Sequence, residues 1–159
     1  MERKTQVTAD AGKQEIFITR EFDLPLDLLF KAYSEPDLIG EWMGTKVVKH
    51  ENKKSGSYAF QTSDANGAVL FNASGVFHEF IPEKKIIRTF EMGGGPLGVQ
   101  IEFLEFEKVS DDVSRLNMHI VYGSVAERDQ FVQFGMTQGV NMAHNNLQKV
   151  IGKLKNSKL

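Results

Sequence analysis

The stretch Arg20–Thr45, REFDLPLDLLFKAYSEPDLIGEWMGT, decides the fold of this chain. A strand pattern ends within it at Phe22, and Pro25 then opens a short amphipathic segment. The apolar residues of that segment recur at the i, i+3, i+4 and i+7 spacing of one helix face, and they are Leu26, Leu29, Phe30 and Tyr33. This spacing predicts a first short helix.

A second short helix is predicted directly after the first. Ser34 and Asp37 stand three residues apart, which is the spacing of an N-cap followed by an acidic first turn. Pro36 lies at the start of the segment, where a missing N–H group costs nothing. The apolar face of this helix is formed by Leu38, Ile39 and Trp42, the single Trp of the chain.

Composition excludes several classes of protein. The 159 residues suit one domain, so we expect a single domain over 1–159 with residues 1–13 as a flexible lead-in. The net charge is −2 without a basic stripe, which argues against nucleic-acid binding. The absence of Cys excludes disulfides and thiolate zinc sites. The 12 Phe against 3 Tyr favour a dry interior or a dry pocket.

The chain carries no apolar run long enough to span a membrane and no signal peptide, so it is predicted to be cytoplasmic. The last three residues, Ser157-Lys158-Leu159, match a peroxisomal address that matters only in a eukaryotic source. We favour the alternative, a lysine-rich helix end that has this sequence by chance.

The middle of the chain alternates between strands and turns, which predicts an antiparallel meander. Gly75 predicts a bulge or bend within one long strand. A change in the phase of apolar residues predicts another bulge near Phe103. The predicted strands are Gln14–Phe22, Val47–His50, Ser57–Thr62, Val69–Ile81, Lys85–Met92, Gly98–Val109 and Arg115–Tyr122.

The last third of the chain changes to a helical period. The pattern predicts a short helix over about 125–134 and a long one over about 136–155, with a break at Gly135 or Gly139. A long helix with one apolar stripe must cover another apolar surface, and the sheet is the only large one available. The pattern therefore predicts an α+β fold with a long C-terminal helix on an antiparallel sheet.

The order of these elements resembles the START-like (Bet v 1-like, SRPBCC) superfamily, and within it the domain of the activator of Hsp90 ATPase homologue 1. The specific part is the strand, the Leu28-Leu29-Phe30 helix face, Ser34-Glu35-Pro36-Asp37, and Trp42-Met43-Gly44. Many members carry a second Trp where this chain has Met43. The resemblance implies the helix-grip fold: a curved antiparallel sheet wrapped around the long helix, two short helices after the first strand, and a cavity.

Sequence motifs for catalysis and metal binding are sparse. The four His residues, His50, His78, His119 and His144, are scattered, so no metal site, cofactor or catalytic group is assigned. His144 lies at the edge of the helix stripe and is either a boundary residue, which we favour, or an acid–base group in the cavity. We interpret Glu102, Glu105 and Glu107 as a solvated strand face, and Gly93-Gly94-Gly95 as a turn that could also form a lip of the pocket.

The apolar residues of the sheet and helices supply the candidate cavity. Most would serve as ordinary core, but the resemblance implies that some line a pocket. The candidate lining residues are Trp42, Met43, Phe60, Phe71, Phe77, Phe90, Met92, Phe103, Met118, Met136, Val140 and His144.

The sequence is compatible with three functions. The first is a non-enzymatic binding domain for a small hydrophobic molecule, such as a lipid, aromatic or polyketide-like metabolite. The second is a co-chaperone-like domain that modulates a chaperone ATPase, which rests on the family resemblance alone. The third is a cyclase- or hydrolase-type enzyme that uses a polar residue in the cavity.

Overall fold

Twelve elements form the chain in a computed structural model that describes residues 3–93 and 98–157. The strands are β1 (Gln6–Thr8), β2 (Glu15–Phe22), β3 (Lys46–His50), β4 (Ser57–Ser63), β5 (Val69–Ile81), β6 (Lys85–Gly93), β7 (Gln100–Lys108) and β8 (Ser114–Val121). The helices are α1 (Leu26–Ser34), α2 (Pro36–Met43), α3 (Val125–Gln133) and α4 (Met136–Ser157).

The eight strands form one curved antiparallel sheet in the order β1-β2-β8-β7-β6-β5-β4-β3. The long helix α4 and the short pair α1 and α2 pack on one side, which we call the inner face. Their shared core includes Phe22, Leu29, Phe77, Leu147 and Ile151, all fully buried. The predicted α+β helix-grip architecture is therefore confirmed.

A second, smaller core lies where the sheet meets α3 and the start of α4. It contains Ile16, Ile18, Ile120 and Tyr122, with Met136 packed against them. Gly135 has φ +80, a conformation that glycine adopts readily, so the chain breaks between α3 and α4 at this residue.

Two local predictions were wrong. Residues 6–8 are not lead-in, because they form β1, which pairs with residues 17–19 of β2. Ser34 is not an N-cap: it is the last residue of α1, and its hydroxyl donates to the carbonyl oxygen of Phe30 at 3.0 Å. The N-cap of α2 is Glu35, which makes no side-chain capping bond.

Neither predicted bulge lies where the sequence placed it. Gly75 pairs in register with Tyr58, and the β5–β6 register shifts instead between Phe77 and Glu79. β7 runs through Phe103 without a shift against either neighbouring strand. Its apparent change of phase arises because the first inward positions of β7 hold polar side chains, Gln100 and Glu102.

Two predicted features lie outside the described residues. Of the glycine lip only Gly93 is described, as the last residue of β6, whereas Gly94, Gly95 and Pro96 are not. The terminal Lys158 and Leu159 are likewise outside the described part of the chain.

Candidate functional site

A cavity of about 380 Å³ lies between α2, α4 and the inner face of the sheet. Helix α2 supplies Ile39, Trp42 and Met43, because its apolar residues recur on the side that meets α4. The sheet supplies Phe60 from β4, Arg88 from β6 and Met118 from β8, and α1 adds Tyr33. The residues from α4 are Val140, Met142, Ala143, His144 and Asn146.

Two methionines mark the opening of the cavity. Met43 and Met142 both line it, yet their exposed fractions are 40% and 70%, whereas Trp42 is 6% exposed. The flexible, unbranched Met side chain adapts to the shape of its partner. The opening therefore lies between the end of α2 and the first turns of α4.

Half of the predicted site residues line this cavity. They are Trp42, Met43, Phe60, Met118, Val140 and His144. Because His144 is 3% exposed and forms part of the cavity wall, the interpretation of it as a boundary residue was wrong.

Five predicted residues belong to the inner face but do not line the cavity. Phe77 is fully buried in the main core between Tyr58 and Phe80, and Phe90 packs against the same core. Met136 packs in the smaller core. Phe71 and Met92 are half-buried at the end of the sheet where β5 begins and β6 ends.

Phe103 is the exception, because it lies on the opposite face of the sheet. Its ring stacks on His119 with 5.6 Å between centroids, and His119 stacks on Phe17 at 4.4 Å. These three residues are register partners on β7, β8 and β2. The error follows from the misplaced bulge, since one register step exchanges the two faces of a strand.

The sequence missed the other half of the lining: Tyr33, Ile39, Arg88, Met142, Ala143 and Asn146. One signal was available for Arg88. It occupies an inward position between Ile86 and Phe90, and a charge in the middle of an apolar strand face requires a partner. That partner is Glu102, its register neighbour on β7.

Arg88 and Glu102 form a buried ion pair beside the cavity. Arg88 Nε donates to Glu102 Oε1 at 2.8 Å, and Gln100 Nε2 donates to Glu102 Oε2 at 2.8 Å. Both charged residues are more than nine-tenths buried. The solvated strand face proposed for Glu102 was therefore wrong, whereas Glu105 and Glu107 are exposed.

The surroundings of Arg88 favour its charged form. Burial is the largest single influence and would lower the pKa of Arg88, but Glu102, Tyr58 and Tyr33 together outweigh it, and the net shift is upward. The guanidinium also lies 5.2 Å from the centroid of the Tyr58 ring, which is a cation–π contact. Burial raises the pKa of Tyr33, so this neighbour keeps its proton.

His144 is held by residues from the far edge of the sheet. Its Nδ1 lies 2.7 Å from Thr5 Oγ1, and Arg20 Nη1 lies 3.2 Å from the same oxygen. The ring also packs edge-on against Phe22. Burial and the nearby Arg20 charge lower the pKa of His144 to about 3, so the imidazole is neutral at physiological pH.

Two further polar wall groups donate hydrogen bonds to the backbone. Trp42 Nε1 donates to the carbonyl oxygen of Ala32 at 2.6 Å. Asn146 Nδ2 donates to the carbonyl oxygen of Trp42 at 2.6 Å and so ties α4 to the end of α2. The cavity wall is mostly apolar. Its charged or polar side chains include those of Arg88, His144 and Asn146 and the hydroxyl of Tyr33.

The described residues contain neither a metal-binding cluster nor a helix suited to span a membrane. Over residues 3–93 and 98–157, no three His, Asp or Glu side chains come together in a way that could hold a metal ion. None of the helices described is long and apolar enough to cross a membrane.

The family of activator of Hsp90 ATPase homolog 1-like proteins matches residues 23–152. A search of curated proteins found no match. The sequence resemblance to this family is therefore confirmed over most of the chain.

Solved bacterial structures share the fold at low identity. A Rhodobacter sphaeroides protein has 18% identity and a TM-score of 0.83, over 94% of this chain and 99% of its own. An Arthrobacter aurescens protein has 17% identity and a TM-score of 0.82, over 93% and 91%. A Mycobacterium smegmatis protein has 17% identity and a TM-score of 0.79, over 91% and 94%. At this identity the likeness shows the fold alone.

Proposed function

The chain belongs to the family of activator of Hsp90 ATPase homolog 1-like proteins, and from that premise we propose that it binds a small, largely apolar molecule in the cavity between α2 and α4. The observation that carries the proposal is the cavity itself. Its volume of about 380 Å³ falls within the size range of small-molecule pockets. Its wall is mostly apolar with a few polar groups, which is the usual composition of such sites.

The environment of His144 favours binding over catalysis. A general base needs a pKa close to the working pH, and a pKa of about 3 makes this imidazole a poor proton acceptor. The Arg88 guanidinium and the Glu102 carboxylate are already bonded to each other within the protein. The polar groups of the wall therefore suit orientation of a ligand better than proton transfer.

Trp42 provides a direct measurement of binding, because it is the only Trp and its ring lines the cavity. We expect the fluorescent apolar probe phenylnaphthylamine to bind and to quench Trp42 emission by energy transfer. Native mass spectrometry of gently purified protein should also reveal a co-purified small molecule. No saturable quenching, together with no bound mass, would contradict the proposal.

A matched pair of variants locates the probe. Ala143→Phe places a ring inside the cavity and should weaken phenylnaphthylamine binding by at least about tenfold, since a filled cavity has no room for the probe. Ala126→Phe makes the same change on an exposed position of α3 and should bind as the wild type does. Ala143→Leu, a smaller change, serves if the Phe variant is unstable. Equal affinity in all of these proteins would place the probe elsewhere.

A chaperone partner rests on the description of the family alone. It makes a different prediction from cavity binding. A chaperone ATPase would change its rate when this protein is added, and the change would be the same with Ala143→Phe as with the wild type. If the ATPase rate changes in this way and neither protein binds the probe, a chaperone partner would replace cavity binding as the proposed function.

A further inference from the structure

Thr5 connects the N-terminal segment to the wall of the cavity. Its hydroxyl oxygen lies 2.7 Å from His144 Nδ1, and its backbone N–H donates to Asn141 Oδ1 at 3.2 Å. Both partners are on α4, one helical turn apart or less. Residue 5 directly precedes β1, so the pairing of β1 with β2 fixes its position beside the helix.

Arg20 fixes the direction of one of the two hydrogen bonds at Thr5 Oγ1. A guanidinium can only donate, so Thr5 Oγ1 accepts from Arg20 Nη1 at 3.2 Å. A Thr hydroxyl has one proton to donate, and His144 Nδ1 is the acceptor that the described residues place within reach of it. With that proton directed to Nδ1, Thr5 Oγ1 makes one hydrogen bond as donor and one as acceptor, and Nδ1 carries the lone pair.

A histidine whose Nδ1 accepts a hydrogen bond carries its own proton on Nε2 when it is neutral. Burial and the Arg20 charge, which lower the pKa of His144, keep it neutral. Within the described part of the chain, Nε2 has no hydrogen-bond partner. Because the ring lines the cavity while Nδ1 is engaged by Thr5, Nε2 is the ring nitrogen left to contact a ligand.

We propose that Thr5 and Arg20 hold His144 as the Nε2–H tautomer, so that the cavity binds apolar ligands that carry a carbonyl oxygen and orients them by a hydrogen bond from Nε2. This inference rests on the proposed function, because it names the ligand class of the same cavity. Thr5 is a positioning residue, and His144 is the residue that touches the ligand.

Discrimination by such a donor has a physical basis. A ligand with a carbonyl oxygen satisfies Nε2–H, whereas a ligand without an acceptor covers the donor with apolar surface and leaves it unpaired. An unpaired buried donor is expected to weaken binding by about tenfold or more. The cavity should therefore prefer a ketone over a hydrocarbon or an amine of similar shape.

Two fluorescent naphthalenes test this preference. Prodan carries a ketone, whereas phenylnaphthylamine carries no carbonyl group. The measured quantity is the ratio of their affinities, so that a general change in the cavity cancels. His144→Met keeps an apolar side chain of similar length. It should lower the ratio of Prodan affinity to phenylnaphthylamine affinity by about tenfold. His144→Gln, whose amide N–H replaces Nε2–H, should restore most of it.

Prodan also reports the hydrogen bond directly, since its emission shifts to longer wavelength when its carbonyl accepts one. We expect Prodan in the wild-type cavity to emit at longer wavelength than Prodan bound to His144→Met. Identical spectra and an unchanged affinity ratio would overturn the inference.

Thr5 is tested through the tautomer itself. Nitrogen chemical shifts of the His144 ring should show an unprotonated Nδ1 and a protonated Nε2 in the wild type. Thr5→Val removes the hydroxyl with little change in size, so both tautomers should then be populated and the Prodan ratio should fall several-fold. Thr5→Ser keeps a hydroxyl at this position and should therefore keep both the wild-type tautomer and the wild-type affinity ratio. A protonated Nδ1 in the wild type would overturn the inference.

The two proposals fail in different ways. If neither probe binds, the proposed cavity function fails and the tautomer signals still report on His144. If both probes bind, but their ratio is insensitive to His144→Met and Thr5→Val, the cavity function stands and the ligand class proposed here is wrong.

Discussion

At His144, burial and the positive charge of Arg20 both lower the pKa. Burial is the larger cause and the Arg20 guanidinium the second, and together they lower the pKa to about 3 from an ordinary 6.5. A histidine that is harder to protonate in the folded state stabilises the fold above pH 6.5 and loses that contribution as the pH falls towards 3. Between pH 6.5 and pH 3, His144 is protonated in the unfolded chain but neutral in the folded chain.

The free energy of unfolding should therefore fall with decreasing pH more steeply in the wild type than in His144→Gln. The difference in slope between pH 6 and pH 4 should approach about 1.4 kcal/mol per pH unit. Urea unfolding at several pH values measures it, and contributions from other groups, including the lowered pKa of His50, cancel in the comparison. Parallel curves for the two proteins would show that His144 titrates normally in the fold.

At the residue scale, sequence patterns indicate which residues are apolar but not which face a polar residue takes. Leu104 and Phe106 lie on the inner face of β7, and the polar Gln100 and Glu102 occupy the same face. Glu102 is buried because Arg88 lies opposite it on the neighbouring strand. A pairing between strands determines this, and no local period of β7 carries that information.

At the scale of elements, two glycines show why the same residue type has opposite roles. A Cβ on Gly75 in β5 would overlap the carbonyl oxygen of Thr89 and lie 2.8 Å from Tyr58 Cε1. A Cβ on Gly139 in α4 would meet nothing within 4 Å. The first glycine permits a close approach between strands, and the second only adds flexibility to a helix.

Gly75→Ala should therefore destabilise the protein by about 2–3 kcal/mol, since the strand must shift to make room. Gly139→Ala should stabilise it by about 0.5–1 kcal/mol, because Ala restricts the unfolded chain more and favours the helix. Urea unfolding of both variants beside the wild type gives the two values. A similar effect of both substitutions would contradict the difference in their surroundings.

Element types were largely predictable, because each long segment has one dominant period. Helix α4 and strand β8 lie within two residues of their predicted ends. β1 was missed because three residues, Gln6–Thr8, are too few to show any period, and only pairing with β2 makes them a strand. Bulges were misplaced because they depend on how two strands fit together, as between Phe77 and Glu79.

At the scale of the whole molecule, the cavity arises where α2 and α4 meet above the sheet. Its wall draws on every helix except α3, and on β4, β6 and β8, so residues more than a hundred positions apart share it. The sequence pattern identifies most of the apolar residues that reach the inner face. It could not separate the solid core around Phe77 from the open space beside Phe60, because only the crossing of the helices decides this.

The placement of the cavity predicts which backbone segments a ligand protects from hydrogen exchange. Saturation with phenylnaphthylamine should slow exchange in α2 and in residues 139–147 of α4, since a ligand that bridges them suppresses local opening. The edge strands β1 and β3 do not contribute to the wall and should be unchanged. Mass spectrometry of exchanged peptides, with Ala143→Phe as control, measures both. Protection of β2, β7 and β8 without α2 would instead place the ligand on the outer face, against the stack of Phe17, His119 and Phe103.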